Sequence, residues 1–198
     1  MSKKRAVVVL AKNPERGRVK TRLAKDVGED RALDIYNQLY QKTLDTVYRL
    51  TDTDIVVYQS PKIDRECLPA ARIEARLQSE GDLGERMHHA LSETLDQHSS
   101  VIIIGTDCPG LDVKHFEKAF EALDKIDVVL GPSTDGGFYL LGSRVSQPRL
   151  FLKRTWSHEK VFEHTVELAS QGRQSLYILP QLFDIDHVSD WKRWRNEG

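Results

Sequence analysis

The chain has 198 residues, 39% of them apolar and 30% charged, with a formal net charge of -1 at pH 7. That length suits one domain with its own core, residues 1–198. The balanced charge gives no support to nucleic-acid binding across a broad surface. Cys67 and Cys108 are too few for a disulfide framework and form no C-x-x-C pair. With so few cysteines a reducing cytoplasm is the expected setting, and no stretch approaches the roughly 20 apolar residues of a membrane span. Met1–Arg5 is basic like the start of a signal peptide, but the apolar run behind it ends at Lys12, too short for one.

Ala6-Val7-Val8-Val9-Leu10 reads as a buried strand. The loop behind it, Ala11 to Leu23, sets Lys12, Arg16, Arg18, Lys20 and Arg22 against one acid, Glu15. A basic loop closing a first strand suits a polyphosphate. Backbone N–H groups around Gly17 supply short-range donors, and lysine supplies a point charge. A solvated basic loop is the bland alternative. Leu33, Tyr36, Leu39, Tyr40, Leu44, Val47 and Tyr48 recur at three and four, predicting a helix over about 30–50. A strand at 55–58, a shorter one at 75–78 and a helix over 83–95 follow. Then come a buried strand at 101–104, a helix over 113–123 and strands at 128–130 and 138–141. A helix near 158–170, a strand at 176–179 and a short helix over 189–195 with Trp191 and Trp194 complete the order.

This alternation predicts an α/β domain with a largely parallel sheet covered by helices on both faces. Ligands of such sheets sit beyond the carboxyl ends of the strands. The basic loop, Asp107 and Asp135 each follow a strand directly, so they are expected to converge on one crevice.

In Gly105-Thr106-Asp107-Cys108-Pro109-Gly110-Leu111, an Asp at the tip of a buried strand suits Mg²⁺ or Mn²⁺, which take one or two carboxylates plus phosphate oxygens. An ordinary turn or helix cap is the competing reading. Asp135-Gly136-Gly137 either allows close backbone approach to a ligand or simply turns the chain. Gln78 to Arg86 opens a helix whose first N–H groups are placed for an anion or a base edge. Within it, Asp82 is equally an N-cap with Glu85 as capping-box partner. Phe183-Asp184-Ile185-Asp186 sets two acids on one side of an extended segment. There is no Walker sequence, no Gly-x-Gly-x-x-Gly behind the first strand and no zinc-protease spacing around His158 and His164. Cys108 has no evident activating histidine.

Four motifs occur in order: Ala11-Lys12-x-Pro14-x-x-Gly17-x-x-Lys20-Thr21-Arg22-Leu23, Gly81-Asp82-Leu83-Gly84-x-Arg86-Met87, Gly105 to Leu111, and Asp135-Gly136-Gly137-Phe138-Tyr139-Leu140-Leu141-Gly142. Across nearly the whole chain they resemble the bacterial radical-SAM and selenodomain-associated transferases of the DUF2064 type, often labelled glycosyltransferase. The resemblance implies a single Rossmann-like GT-A domain of the nucleotide-diphospho-sugar transferase superfamily, similar to the guanylyltransferases of molybdopterin and phospholactate metabolism. It implies Mg²⁺ or Mn²⁺, a nucleoside triphosphate or nucleotide-sugar donor and a small-molecule acceptor. The donor would lie against Ala11, Lys12, Gly17, Lys20, Arg22, Gln78, Gly81, Asp82 and Gly84, with Lys20 on its phosphates. Asp107 and Asp186 would hold the metal, although the family's Thr-Pro-Glu-Asp after Asp-Ile-Asp is here His187-Val188-Ser189-Asp190. The acceptor would face Asp135, Gly136, Gly137 and Trp156, with Lys20, Asp107 and Asp135 as catalytic residues. A single Asp in Thr-Asp-Cys, in place of Asp-x-Asp, leans toward nucleotidyl transfer, and the family label toward glycosyl transfer. A non-catalytic nucleotide-binding or sensor module is the alternative outside the enzymes.

Overall fold

A computed structural model describes residues 4–68 and 72–197; the first three residues of the basic start lie outside them. The expected alternation is present. β1 (Arg5–Lys12), β2 (Thr53–Ser60), β3 (Ile73–Leu77), β4 (Ser100–Ile104), β5 (Val128–Pro132), β6 (Phe138–Ser143) and β7 (Leu176–Ile178) form one sheet. The helices are α1 (Thr21–Val27), α2 (Glu29–Tyr48), α3 (Leu83–Leu95), α4 (Val113–Leu123), α5 (Pro148–Phe151), α6 (Val161–Gln171) and α7 (Val188–Glu197). α1 escaped the sequence reading because Leu23 is its one buried residue, so seven residues carry no apolar period.

Strand order is β3-β2-β1-β4-β6-β5-β7. All neighbouring pairs are parallel except those of β6, which runs antiparallel between β4 and β5. The chain therefore winds outward from β1 through β2 to β3 and restarts on the other side of β1 with β4. A topological switch between β1 and β4 is where an open α/β sheet leaves a crevice.

Alternation along the strands divides the core. Val7, Val9, Ile102 and Ile104 point to one face, against Tyr36, Tyr40 and Leu44 of α2 and Phe116 and Phe120 of α4. Ala6, Val8, Val101 and Ile103 point to the other, against Met87 and Leu91 of α3, Leu150 and Phe151 of α5 and Ala169 of α6. A third cluster joins Leu23 of α1, Ile35 and Leu39 of α2, Ile185 and Trp191 of α7. By burying Ile185, that cluster fixes the segment after β7 beside the switch point.

Candidate active site

The carboxyl ends of β1 and β4 open into a cleft of about 720 Å³. Ala11, Lys12, Lys20, Arg22, Gln78, Asp107, Asp135, Gly137, Trp156, Asp184 and Asp186 all line it, so the three strand-end clusters meet as expected.

Lys20 is the centre of the arrangement. It caps α1 with a left-handed backbone, φ 47° and ψ 43°, unusual for a residue with a Cβ. This turn sends its side chain inward until only 4% of it is exposed. Nζ lies 2.6 Å from Asp107 Oδ1 and 3.7 Å from Asp186 Oδ1, and donates to the Ile185 carbonyl at 2.5 Å. Ile185 N in turn donates to the Asp107 carbonyl at 2.9 Å. Three chain segments far apart in sequence are thus stitched together at one ammonium.

The other basic residues of the loop are largely neutralised. Arg16 pairs with Glu29 at 2.8 Å and Asp30 at 2.6 Å, Arg18 with Glu15 at 3.2 Å, and Arg22 with Asp186 at 3.0 Å. The loop is therefore a folded ion-pair network. Lys12 makes no ion pair among the described residues, and the Tyr36 hydroxyl donates to its carbonyl at 2.6 Å.

Asp184 and Asp186 both line the cleft because Ile185 between them is buried on the opposite side. Burial pushes the Asp184 carboxyl up to about 7, and the neighbouring charges of Asp107 and Asp135 add to the rise; Lys20 and a hydrogen bond from Ser133 work against it. Asp190 accepts from the backbone N–H groups of Asp186 at 3.1 Å and His187 at 2.7 Å, which holds this segment in place. Cys108 is buried, and burial drives its thiol upward, as inert packing requires.

The far wall is built by the turn from β5 to β6 and by residues 156–159. Asp135 Oδ1 accepts from Ser133 Oγ and, at 2.9 Å, from Gly137 N. A Cβ on Gly136, where φ is +87°, would collide with the Glu159 carbonyl, so this glycine lets the two loops touch. Trp156 packs on Phe151 and Phe138 with ring centroids 6.4 and 6.2 Å apart, and the Arg154 guanidinium lies 4.6 Å from its ring.

Gly17, Gly81, Asp82, Gly84 and Gly136 were expected at the ligand, and the structure does not bring them to the cleft wall. Gly17 turns the loop at φ +75° beside the Glu29 carboxylate, and Gly81 turns at φ +106° beside Glu85. Asp82 spends its carboxylate on the cap: Oδ1 accepts from Glu85 N at 2.9 Å, and Asp82 N donates to Glu85 Oε2 at 2.8 Å. The space a Cβ would need at Gly84 is filled by the Trp156 indole and the Phe151 carbonyl. Gln78 lines the cleft, yet its amide nitrogen is tied to the carbonyls of Ala11 and Tyr58, both at 3.0 Å. Ser133, His158 and Glu159 line the cleft without having been given a ligand role, and Arg86, part of the Gly81–Met87 motif, lines it too. Tertiary packing delivers the first three.

Mg²⁺ or Mn²⁺ suits what is present. Asp107 and Asp186 are hard oxygen donors carried on different segments, and the Lys20 ammonium pairs with both. Among the described residues no three His, Cys, Asp or Glu side chains form a ready-made metal cage. A Mg²⁺-like ion does not need one, since phosphate oxygens and water complete its shell.

The family model for "Uncharacterized protein conserved in bacteria (DUF2064)" matches residues 43–158. The chain belongs to the DUF2064 family. A solved structure from Desulfovibrio desulfuricans G20, described as a candidate nucleotide-diphospho-sugar transferase, is 32% identical. It covers 94% of this DUF2064 chain and 84% of its own, with a TM-score of 0.86. The 2-phospho-L-lactate guanylyltransferase of Methanocaldococcus jannaschii is 29% identical over 126 residues, 62% of this chain and 53% of that protein. The match thus spans about half the length of this curated relative. A 4-diphosphocytidyl-2C-methyl-D-erythritol synthase from Anaerococcus prevotii DSM 20548 shares the fold at 13% identity, with a TM-score of 0.61 over 95% of this chain and 92% of its own. The domain has the nucleotidyltransferase and nucleotide-diphospho-sugar transferase fold. Among the described residues no helix is long and apolar enough to cross a membrane.

Proposed function

We propose that this DUF2064 protein is a divalent-metal-dependent nucleotidyltransferase. The observation that carries the reading is the meeting of Lys20, Asp107 and Asp186 at the switch point, with Arg22 and Lys12 beside them. In that reaction an acceptor oxygen bonds to the α-phosphorus of a nucleoside triphosphate. The bond to the bridging oxygen breaks with its electron pair, and pyrophosphate leaves. Lys20, Lys12 and Arg22 stabilise the charge that gathers on the leaving phosphates. Asp107 and Asp186 would hold the metal, which would supply Lewis-acid stabilisation of that same charge. Leu10 and Ala11 border the donor on the β1 side, and Gln78 keeps that border rigid by bridging the ends of β1 and β2. The acceptor approaches from the wall of Asp135, Gly137 and Trp156. Similarity to a guanylyltransferase supports this reading.

A second reading has its own observation. The acceptor wall carries Asp135, Glu159, Phe138 and Trp156, and the nearby Arg154 is turned inward onto Leu150, Thr165 and Val161 carbonyl or hydroxyl oxygens. Such a wall suits a neutral hydroxyl-bearing acceptor better than an anionic one, as glycosyl transfer from a nucleotide sugar would ask. A thermal-shift panel of nucleoside triphosphates and nucleotide sugars, with and without Mg²⁺ or Mn²⁺, decides between them. A ligand at a hundred times its dissociation constant adds about 2.7 kcal/mol. Metal-dependent stabilisation by a triphosphate supports nucleotidyl transfer. Stabilisation by a nucleotide sugar alone transfers the assignment to the second reading. Binding without turnover of any acceptor supports a sensor module.

A further inference from the structure

We propose that the Lys20 ammonium is a built-in occupant of the metal position, so that the divalent cation enters only together with the nucleotide that draws Lys20 away. The inference rests on the metal reading above. The cation is not a loose surface lysine: its side chain is 4% exposed, and Nζ reaches Asp107, Asp186 and the Ile185 carbonyl together. These are hard oxygen atoms of the kind a Mg²⁺-like ion takes. A divalent ion placed between the same oxygens would lie against the ammonium, and that repulsion opposes its entry while Lys20 stays in place.

The backbone supports an occupant that can be withdrawn. Lys20 holds a left-handed conformation as the cap of α1, with no side-chain capping bond to anchor it. Strain of this kind persists where surrounding contacts over-determine it, and here those contacts are the ion pairs. Arg22 follows the same arrangement, bound to the other oxygen of Asp186 at 3.0 Å. An incoming triphosphate offers both side chains a denser negative partner. Once Lys20 and Arg22 turn to the phosphates, Asp107 and Asp186 are left bare and the metal is bound by them and by the phosphates together. Metal and nucleotide binding are therefore cooperative, and the same side chain sets the order in which they bind.

The test is Mn²⁺ binding to the full chain by calorimetry or electron paramagnetic resonance, in wild type and Lys20→Met, with no nucleotide present. Lys20→Met is expected to bind Mn²⁺ at least tenfold more tightly than wild type, and excess nucleoside triphosphate should close most of that gap. Equal or weaker Mn²⁺ binding by Lys20→Met overturns the proposal. Wild type with Mn²⁺ and triphosphate is the control: failure to retain Mn²⁺ even there removes the metal reading itself, whereas retention there with no gain in Lys20→Met removes only the occupant role. Should Lys20→Met be unstable alone, Lys20→Gln and recovery of the melting transition on adding Mn²⁺ provide the second readout. Recovery supports the proposal, and two variants that stay unfolded in Mn²⁺ contradict it.

Discussion

Lys20 Nζ stands 2.6 Å from Asp107 Oδ1, joining the cap of α1 to the loop after β4 across the switch point of the sheet. Removal of the ammonium leaves Asp107 without its ion-pair partner, while Asp186 keeps only Arg22. Breaking a buried pair costs about 3–5 kcal/mol, and partial solvent access to both carboxylates reduces this to about 1–3. Lys20→Ala should therefore melt several degrees below wild type, at about 2–4 °C per kcal/mol for a chain of this size. A melting temperature within 1 °C of wild type would show that the ion pair contributes nothing to the fold.

Asp184 gives the stability a pH dependence. Its carboxyl is raised from 3.8 to about 7 in the folded state, so folding favours its protonated form. This contribution is fully present below about pH 4 and is lost as pH rises toward and through 7. Asp184→Asn, neutral throughout, should be more stable than wild type at pH 8 by about 1–2 kcal/mol, discounted for the open cleft. The two should converge at pH 4. Denaturant melts across that range check the sign; a variant less stable than wild type at pH 8 would reverse it.

Gly136→Ala tests how the acceptor wall is held. The new Cβ strikes the Glu159 carbonyl, and φ +87° is itself unfavourable for alanine. Residues 156–160 must shift, and Trp156 with them. Tryptophan emission should change and stability should fall by about 1–3 kcal/mol, as overpacking does. Triphosphate affinity, set at the other side of the cleft, should move by less than about twofold.

Asp82→Ala separates a cap from a ligand contact. Loss of the capping box should cost about 1 kcal/mol, and Asp82→Ser should restore most of it. Nucleotide affinity should be the same in all three proteins. A loss of affinity that serine fails to repair would return Asp82 to the donor site.

The long elements were readable because each buries a regular apolar stripe: Tyr36, Leu39, Tyr40, Leu44 and Val47 on α2, or the unbroken Val101 to Ile104 on β4. The convergence of Lys20, Asp107 and Asp135 was readable from their places at strand ends. What local pattern does not carry is the state of each side chain. Nothing around Lys20 announces that partners 87 and 166 positions away will enclose it, since the pairing depends on β4 lying beside β1 and on Ile185 seating against Leu23 and Leu39. Glycines are ambiguous in sequence for a similar reason. A short Gly-x-x-Gly motif looks alike whether the missing Cβ makes room for a ligand or, as at Gly84, for the Trp156 ring. β6 was recognised as a strand, but its antiparallel direction follows from the tight five-residue turn at Ser133–Gly137.

The most direct measurement of the central claim is Mn²⁺-dependent binding of nucleoside triphosphates to wild type and Asp107→Asn by calorimetry. The variant keeps the size of the side chain and its capacity for turn hydrogen bonds but lacks the charge a hard cation requires. Wild type should bind a triphosphate more tightly with Mn²⁺ than without it, and Asp107→Asn should lose that enhancement while remaining folded. An unchanged response to Mn²⁺ in the variant, or no triphosphate binding by wild type under either condition, would contradict the assignment.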